Sequence, residues 1–261
     1  MAQTEATTAA PPASVTAPSA TAMASDVWVV LPTYNEAEGL AELVSAARKQ
    51  LPESHRILIV DDDSPDGTGR IADGLAAELD EVDVMHRGRK EGLGPAYIAG
   101  FNSALDAGAE LIVQMDADFS HNPADLPKLL GAAENADLVL GSRYVLGGAI
   151  ERWGRRREAI SRLGSRYARA MLGVEIHDLT SGFKCWRRRA LEGIDLEAVN
   201  SRGYAFQVEM TYRAVKAGFE VLEVPIVFRD RRVGDSKMTK SIVLEAAWRV
   251  PAMRMRRTHS S

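Results

Sequence analysis

The chain has 261 residues, of which 46% are hydrophobic and 26% charged, a composition typical of one large α/β domain or two small ones. Its formal net charge of −4 argues against a general nucleic-acid-binding surface. A single cysteine, Cys185, excludes an intrachain disulfide and a cysteine-rich metal site, and no run approaches the roughly 20 apolar residues that span a bilayer.

Residues 1–25 are rich in Ala, Thr, Pro and Ser and contain neither Lys nor Arg, which predicts a disordered tail rather than a signal peptide. Order is expected to begin with a buried strand at 27–31, closed by Pro32. Apolar runs and helical spacing then predict a strand–helix alternation: helix 36–50 capped by Asn35, strand 57–60, helix 69–79, strand 82–85, helix 95–107, strand 111–115, helix 123–135 and strand 138–140.

This alternation predicts right-handed crossovers and a doubly wound, mostly parallel sheet with helices on both faces. The strand runs are apolar without alternation, as expected for strands buried on both sides. Beyond Gly141 the chain becomes rich in arginine, with helices expected at 159–172 and 206–217 and a strand at 219–228. We therefore expect one domain over 26–240, followed by a basic amphipathic helix or tail over 241–261 that either packs on the domain or lies at a membrane interface.

Polar clusters follow three of the predicted strands, at 32–36, at 61–67 and at 116–118. The carboxyl ends of parallel strands share one edge of a sheet, where open α/β sheets bind ligands. The oxygens of Asp116 and Asp118 suit a hard divalent cation that also holds phosphate oxygens, although Asp is also common at the start of a solvated loop. His121 is expected to cap the helix that is entered at Pro123, with a contact to the cation or a phosphate as the alternative.

Six motifs carry a resemblance to a known family. They are Leu-Pro-Thr-Tyr-Asn-Glu at 31–36, Val-Asp-Asp-Asp-Ser-Pro-Asp-Gly-Thr at 60–68, Met-Asp-Ala-Asp-Phe-Ser-His at 115–121, Gly-Ser-Arg-Tyr-Val-Leu-Gly-Gly at 141–148, Thr-Ser-Gly-Phe at 180–183 and Gly-Asp-Ser-Lys-Met at 234–238. Together the motifs resemble the inverting family 2 glycosyltransferases with the GT-A fold, and among them the polyprenol (dolichyl) phosphate mannose synthases.

The resemblance implies a GDP-mannose donor, a polyprenyl (dolichyl) monophosphate acceptor and Mg²⁺ or Mn²⁺ as cofactor. By position, it implies metal ligands at Asp116, Asp118 and Ser120, with water as the alternative to Ser120, and catalytic roles for Asp118 and Arg143. The implied donor-binding and phosphate-binding residues are Pro32, Tyr34, Glu36, Val60, Asp62, Asp116, Ala117, Asp118, Arg143, Arg157, Arg231 and Lys237.

A lipid acceptor further implies a peripheral protein on the cytoplasmic face of a membrane, held there by the lipid, by its terminal helix or by a membrane-anchored partner protein. The nearest alternative is a UDP-glucose or UDP-hexosamine transferase that acts on a polyprenyl phosphate. A sugar-nucleotide hydrolase, a nucleotidyltransferase and a non-catalytic nucleotide-binding protein are further alternatives, and the intact Asp116, Asp118, Arg143 and Lys237 count against the last.

Overall fold

The computed structural model describes residues 27–151, 153–199, 201, 203–229, 250, 251, 253 and 254. The predicted tail, 1–25, and most of the predicted terminal segment, 241–261, lie outside these residues, so both domain boundaries stay predictions. Within the terminal segment, Val250 is buried in the core, and Arg254 Nη1 donates to the carbonyl of Met171 at 2.8 Å. The described part of this segment therefore packs on the domain.

The strands are β1 (Val27–Thr33), β2 (His55–Asp61), β3 (Val82–His86), β4 (Leu111–Gln114), β5 (Leu138–Ser142), β6 (Ala149–Glu151), β7 (Lys184–Arg187), β8 (Val221–Pro225) and β9 (Val227–Arg229). The helices are α1 (Leu40–Arg48), α2 (Thr68–Glu78), α3 (Leu93–Asp106), α4 (Leu126–Ala132), α5 (Arg155–Leu172), α6 (Arg188–Glu192) and α7 (Gly203–Lys216), with a 3-10 turn at Pro123–Asp125. No helix among the described residues combines the length and the apolar character that crossing a bilayer requires.

Seven of these strands form one sheet in the order β3-β2-β1-β4-β7-β5-β8. Strands β1 to β4 pair in parallel, as does β5 with β8, whereas β7 runs antiparallel between β4 and β5. The predicted doubly wound, mostly parallel sheet is confirmed. The β4–β1–β2 arrangement gathers the polar loops after these strands at one edge.

Both faces of the sheet are buried, which explains why the strands are continuously apolar. On β1, Trp28 and Val30 belong to the core on the side of α3 and α7, while Val29 and Leu31 belong to the core on the side of α1, α2 and α4. Helix α3 approaches β1 so closely that a Cβ at Gly100 would lie only 2.4 Å from Val30 Cγ1. Glycine at this position therefore sets the helix–sheet spacing.

Three predicted elements differ from the structure. The predicted strand 219–228 is two strands: β8 joins the main sheet, and β9 pairs with β6 in a second, two-stranded sheet. Helix α1 begins at Leu40, because Asn35 has a left-handed φ of 60° and the Glu36 carbonyl accepts from both Gly39 and Leu40. Asn35 therefore does not cap it. The helix predicted at 123–135 is the 3-10 turn followed by α4.

Cys185 lies on β7 and is completely buried, and burial raises the pKa of its thiol to about 12. Because the thiolate is the reactive form, we expect the native protein to resist an aromatic disulfide reagent and the denatured protein to react fully. Absorbance of the released thiol measures both states. Rapid reaction of the native protein would contradict this placement.

Candidate active site

A cavity of about 360 Å³ opens at the carboxyl edge of the sheet, a volume in the range of small-molecule sites. It brings together most of the residues that the sequence nominates: Pro32, Tyr34, Glu36, Asp62, Asp116, Ala117, Asp118, Ser120, Arg143 and Arg157. Val60 does not line it, because its side chain is fully buried in the core against α3. Arg231 and Lys237 lie outside the described residues.

The loops after β1 and β2 are locked to each other by hydrogen bonds. Thr33 Oγ1 donates to Asp61 Oδ1 at 2.8 Å, and Ser64 Oγ donates to the same oxygen at 2.6 Å. The backbone amide of Glu36 donates to Thr68 Oγ1 at 2.9 Å. These contacts fix the wall that carries Tyr34 and Glu36, so the side chains of the second motif act partly as its scaffold.

Each of the three loops contains a non-glycine residue with positive φ: Asn35 at 60°, Asp63 at 59° and Phe119 at 59°. Asn and Asp tolerate this conformation, but for a bulky phenylalanine it is a genuine outlier. Strained backbone of this kind persists where the surrounding structure over-determines it, and it clusters at functional sites. Its presence at all three strand ends supports a ligand-binding role for this edge.

Asp62 is buried at the cavity wall and organises the segment that follows β3. Its Oδ1 accepts from Arg87 Nη1 at 2.6 Å, and its Oδ2 accepts from the backbone amides of Glu91 at 3.2 Å and Gly92 at 3.0 Å. The same segment places Lys90 Nζ 3.5 Å from the centre of the Tyr34 ring. Lys90, which the sequence did not nominate, thus lies beside Tyr34 in the cavity.

Asp116 is held from two sides. Tyr97 donates its hydroxyl to Asp116 Oδ1 at 2.8 Å, and the Asp116 backbone amide donates to His121 Nδ1 at 3.1 Å. Burial and the neighbouring carboxylate raise the pKa of Tyr97 well above its ordinary value, so it remains a donor. Tyr97 therefore orients this carboxylate, and His121 fixes the backbone that carries it.

His121 is buried against Phe183, with ring centroids 4.9 Å apart, and burial lowers its pKa. It does not cap the following helical turn, as the sequence suggested. Asn122 does so, because its side chain accepts from the Ala124 amide at 3.1 Å. His121 instead lines the cavity beneath Asp116.

The chemistry of the donor set fits a hard divalent cation. Asp116, Asp118 and Ser120 line the cavity together, and Asp118 Oδ1 accepts from the Ser120 amide at 2.9 Å. Over the described part of the chain, no group of three or more His, Cys, Asp or Glu side chains is placed to hold a metal. A hard divalent cation also takes water and phosphate oxygens as ligands.

Arg143 is buried on the opposite side of the cavity and is oriented by Asp178. Its Nε donates to Asp178 Oδ2 and its Nη2 to Asp178 Oδ1, both at 2.7 Å, and Nη2 also reaches Thr180 Oγ1 at 2.7 Å. Burial opposes ionisation of Asp178, but the charge and hydrogen bonds of Arg143 outweigh it and lower the pKa. No sequence signal pairs Asp178 with Arg143, because 35 positions separate them.

Arg157 reaches the same cavity from the first turn of α5. Its guanidinium lies 4.0 Å from the centre of the Trp153 ring, and Trp153 packs edge-on against Phe228 with centroids 5.4 Å apart. Trp186, the next tryptophan along the chain, has no such place near the cavity, because it is fully buried in the core. The cavity thus has an acidic wall after β4 and two arginines on the side of β5 and α5.

This sheet, with its acidic pair at the end of β4, has the GT-A fold of nucleotide-sugar transferases, and the glycosyl transferase family 2 model matches residues 28–195. The chain belongs to glycosyl transferase family 2. It is 51% identical over 224 residues to the polyprenol monophosphomannose synthase of Mycolicibacterium smegmatis, covering 85% of this chain and 84% of that one. It is 50% identical over 220 residues to the undecaprenyl-phosphate mannosyltransferase of Micrococcus luteus, covering 84% and 90%.

Solved structures support the fold. Glucosyl-3-phosphoglycerate synthase from Mycobacterium tuberculosis, in complex with Mn²⁺, UDP-glucose and phosphoglyceric acid, superposes with a TM-score of 0.65 at 18% identity, covering 90% of this chain and 81% of that one. The same enzyme with Mg²⁺ and UDP gives a TM-score of 0.64 at 19% identity, with the same coverage.

Proposed function

We propose that the protein transfers mannose from GDP-mannose to a polyprenyl (dolichyl) monophosphate, yielding polyprenyl β-phosphomannose and GDP. The observation that carries this proposal is one cavity in which Asp116 and Asp118 face a side lined by Arg143 and Arg157. Such a cavity suits two phosphate groups, one leaving and one attacking. The names of the two relatives at 50% identity and above support mannose as the sugar and a polyprenyl phosphate as the acceptor.

In this proposal the donor lies along the sheet edge, with its nucleoside near Tyr34 and Glu36 and its diphosphate near Asp116 and Asp118. Mg²⁺ or Mn²⁺, held by Asp116, Asp118 and either Ser120 or water, would neutralise charge on the leaving diphosphate. Arg143 and Arg157 position the acceptor phosphate, and we assign Arg231 and Lys237 the same task. An acceptor oxygen bonds to the anomeric carbon, the bond to the diphosphate breaks, and its electron pair leaves with GDP, which inverts that carbon.

A phosphate acceptor is already an anion near neutral pH and needs no general base. His121 fits this view, because its Nδ1 accepts from the Asp116 amide, so the neutral ring carries its proton on Nε2. With its pKa lowered by burial, it is a neutral donor near neutral pH, not a base. An enzyme that activated a hydroxyl acceptor would need a free carboxylate or imidazole nitrogen at this point.

The deciding assay uses the purified full chain, labelled GDP-mannose, Mg²⁺ or Mn²⁺ and a short polyprenyl phosphate. We expect label in the lipid fraction with GDP-mannose and far less with UDP-glucose or a UDP-hexosamine. Free labelled mannose without lipid product would instead identify a hydrolase. Sugar phosphate plus a nucleotide would identify a nucleotidyltransferase.

The acceptor also implies work at a membrane surface, and we propose a peripheral location on the cytoplasmic face, with a membrane-anchored partner as a second means of attachment. Exposed apolar side chains support this: Leu146 is 99% and Leu163 69% exposed, and Ile160 lies one turn before Leu163. The exposed Arg156 and Arg166 on the same helix would favour anionic lipids.

Gly182→Ala is expected to lower transfer roughly ten- to hundredfold with little change in Tm, because misplacing reacting groups by a fraction of an ångström is costly. A Cβ at 182 would lie 3.2 Å from Asp116 Oδ2 and 3.3 Å from His121 Cε1, so the carboxylate must shift. Gly131→Ala is the matched control, since a Cβ there meets nothing within 4 Å. Initial rates and thermal unfolding of both variants check this, and equal rates would contradict it.

A further inference from the structure

Gln207 is a buried polar residue of the cavity that the sequence did not nominate. It lies in the second turn of α7, is only 3% exposed, and lines the cavity beside Gly182. Its side-chain oxygen accepts from Gln114 Nε2 at 2.6 Å and from Lys184 Nζ at 2.9 Å. Its side-chain nitrogen is buried and has no hydrogen-bond acceptor among the described residues. A buried amide of this kind calls for an acceptor beyond the described residues, and its place on the cavity wall suits one supplied by a ligand.

The orientation of the amide follows from its neighbours. The indole of Trp186 can only donate, and its Nε1 lies 3.4 Å from Gln114 Oε1, which identifies the oxygen of Gln114. The Gln114 nitrogen therefore faces Gln207, and the oxygen of Gln207 must face Gln114. Lys184, fully buried, donates both to that oxygen and to the Gln207 backbone carbonyl at 2.9 Å. The Gln207 nitrogen is thus the end directed at the cavity.

The surroundings of this nitrogen include a carboxylate and a buried lysine. A Cβ built on Gly182 would lie 3.5 Å from Gln207 Nε2 and 3.2 Å from Asp116 Oδ2, so the amide and the carboxylate flank the same point of the wall. Burial lowers the pKa of Lys184 to about 7, and an anion bound in front of Gln207 would favour its charged form. An amide cannot take a proton from an acceptor, but it can donate a hydrogen bond to an oxygen that is already ionised.

The position of Gln207 along the sheet favours the acceptor over the donor. Tyr34 and Asp62, the expected nucleoside contacts, follow β1 and β2, whereas Gln207 is held by Gln114 on β4 and Lys184 on β7. The next strand beyond β7 is β5, which leads into Arg143. Gln207 therefore lies between the acidic pair after β4 and the arginines on the side of β5, away from the expected nucleoside contacts.

We propose that the Gln207 amide donates a hydrogen bond to an oxygen of the acceptor phosphate, and that Gln114 and Lys184 hold it in that orientation. This inference rests on the proposed function for the identity of the acceptor. It makes Gln207 a binding residue for the acceptor phosphate.

The test compares Gln207→Glu and Gln207→Met with the unmodified chain. Glu keeps the size of the side chain and the contact with Lys184 but turns an anionic oxygen toward the acceptor, and Met removes both polar atoms. We expect KM for a short polyprenyl phosphate to rise roughly ten- to hundredfold, as for loss of a hydrogen bond to a charged group, with KM for GDP-mannose nearly unchanged. The Kd of geranyl phosphate, measured by calorimetry with GDP and Mg²⁺ present, should weaken to the same extent.

Thr211→Val is the matched control, because Thr211 lies one turn further along α7, is fully buried and donates to the Gln207 carbonyl at 3.1 Å, but does not line the cavity. It should lower Tm without changing either KM. Unchanged acceptor KM and Kd in both Gln207 variants, or a rise in donor KM alone, would overturn the inference. A chain that binds geranyl phosphate through Gln207 yet transfers no mannose would support the inference and sink the proposed function instead.

Discussion

Asp118→Ala is expected to reduce mannosyl transfer by roughly a thousandfold or more while the fold is retained, because it removes an anionic oxygen from the proposed site of the leaving diphosphate. Asp118 lies in the loop beyond β4, is 8% exposed, and accepts a hydrogen bond from the Ser120 amide within the loop. Loss of this hydrogen bond costs about 1 kcal/mol, as for a typical hydrogen bond. Steady-state rates, circular dichroism and thermal unfolding give the comparison.

Two further variants make this result specific. Asp118→Asn keeps an oxygen for the Ser120 amide and removes only the charge, so it should lose activity without losing Tm. Asp106→Ala removes an exposed carboxylate at the end of α3, at the opposite edge of the sheet, and should behave like the unmodified chain. Calorimetry with Mn²⁺ and GDP should show weaker metal binding in both Asp118 variants. Full activity of Asp118→Ala would remove the acidic pair from the mechanism.

Asp178→Asn is expected to give the largest loss of stability, roughly 3–5 kcal/mol in the free energy of unfolding near neutral pH. Asp178 is completely buried and Arg143 is 4% exposed, and two hydrogen bonds of 2.7 Å join their side chains. Removing the carboxylate charge leaves the guanidinium buried with its counter-ion missing. Urea denaturation measures the difference, and transfer should fall as well because Arg143 loses its orientation.

The effect should depend on pH in a defined direction. The pKa of Asp178 in the folded protein is below its ordinary value of 3.8, so in this range the unfolded chain binds more protons than the folded one. The stabilisation that ionised Asp178 provides is therefore fully present at a pH above its ordinary pKa, and it is lost as the pH falls through the pKa of the folded protein. The difference in the free energy of unfolding between Asp178→Asn and the unmodified chain should be largest near neutral pH and smaller at about pH 3.

A surface ion pair provides the control for this prediction. Glu151 and Arg229 form a pair at 3.1 Å in which both side chains are about half exposed. Glu151→Gln should change stability by less than about 1 kcal/mol, since water and salt screen such pairs. Equal losses of unfolding free energy in Asp178→Asn and Glu151→Gln would show that the buried pair of Asp178 and Arg143 stabilises the fold no more than a surface pair does.

The edge of the sheet that carries the site was predictable because local sequence determines it. Continuous apolar runs indicated β1, β2 and β4, and polar residues directly after them, such as Tyr34, Asp62 and Asp118, had to meet at the carboxyl edge. Val60 marks the limit of that reasoning. It directly precedes the polar cluster, yet its side chain points into the core, because direction alternates along a strand.

The supporting residues were not predictable because their partners are distant in sequence. Tyr97 reaches Asp116 from α3, and Asp178 reaches Arg143 across 35 positions. Strand β7 was missed for a similar reason. It begins with Lys184, and a charge is normally a sign of exposure, whereas here the amine is fully buried and bonded to Gln207.

The central position of β7 has a consequence for the order in which the chain acquires its structure. Strands β1 to β4 pair through short helical crossovers, but the far side of β4 finds its partner only when Lys184–Arg187 arrives, about 70 positions later. Until then a growing chain presents β4 as an open strand edge, which is prone to pairing with other chains. We therefore expect chains truncated before residue 184 to aggregate. We also expect the carboxyl edge of the sheet, which carries the candidate site, to become ordered late in synthesis.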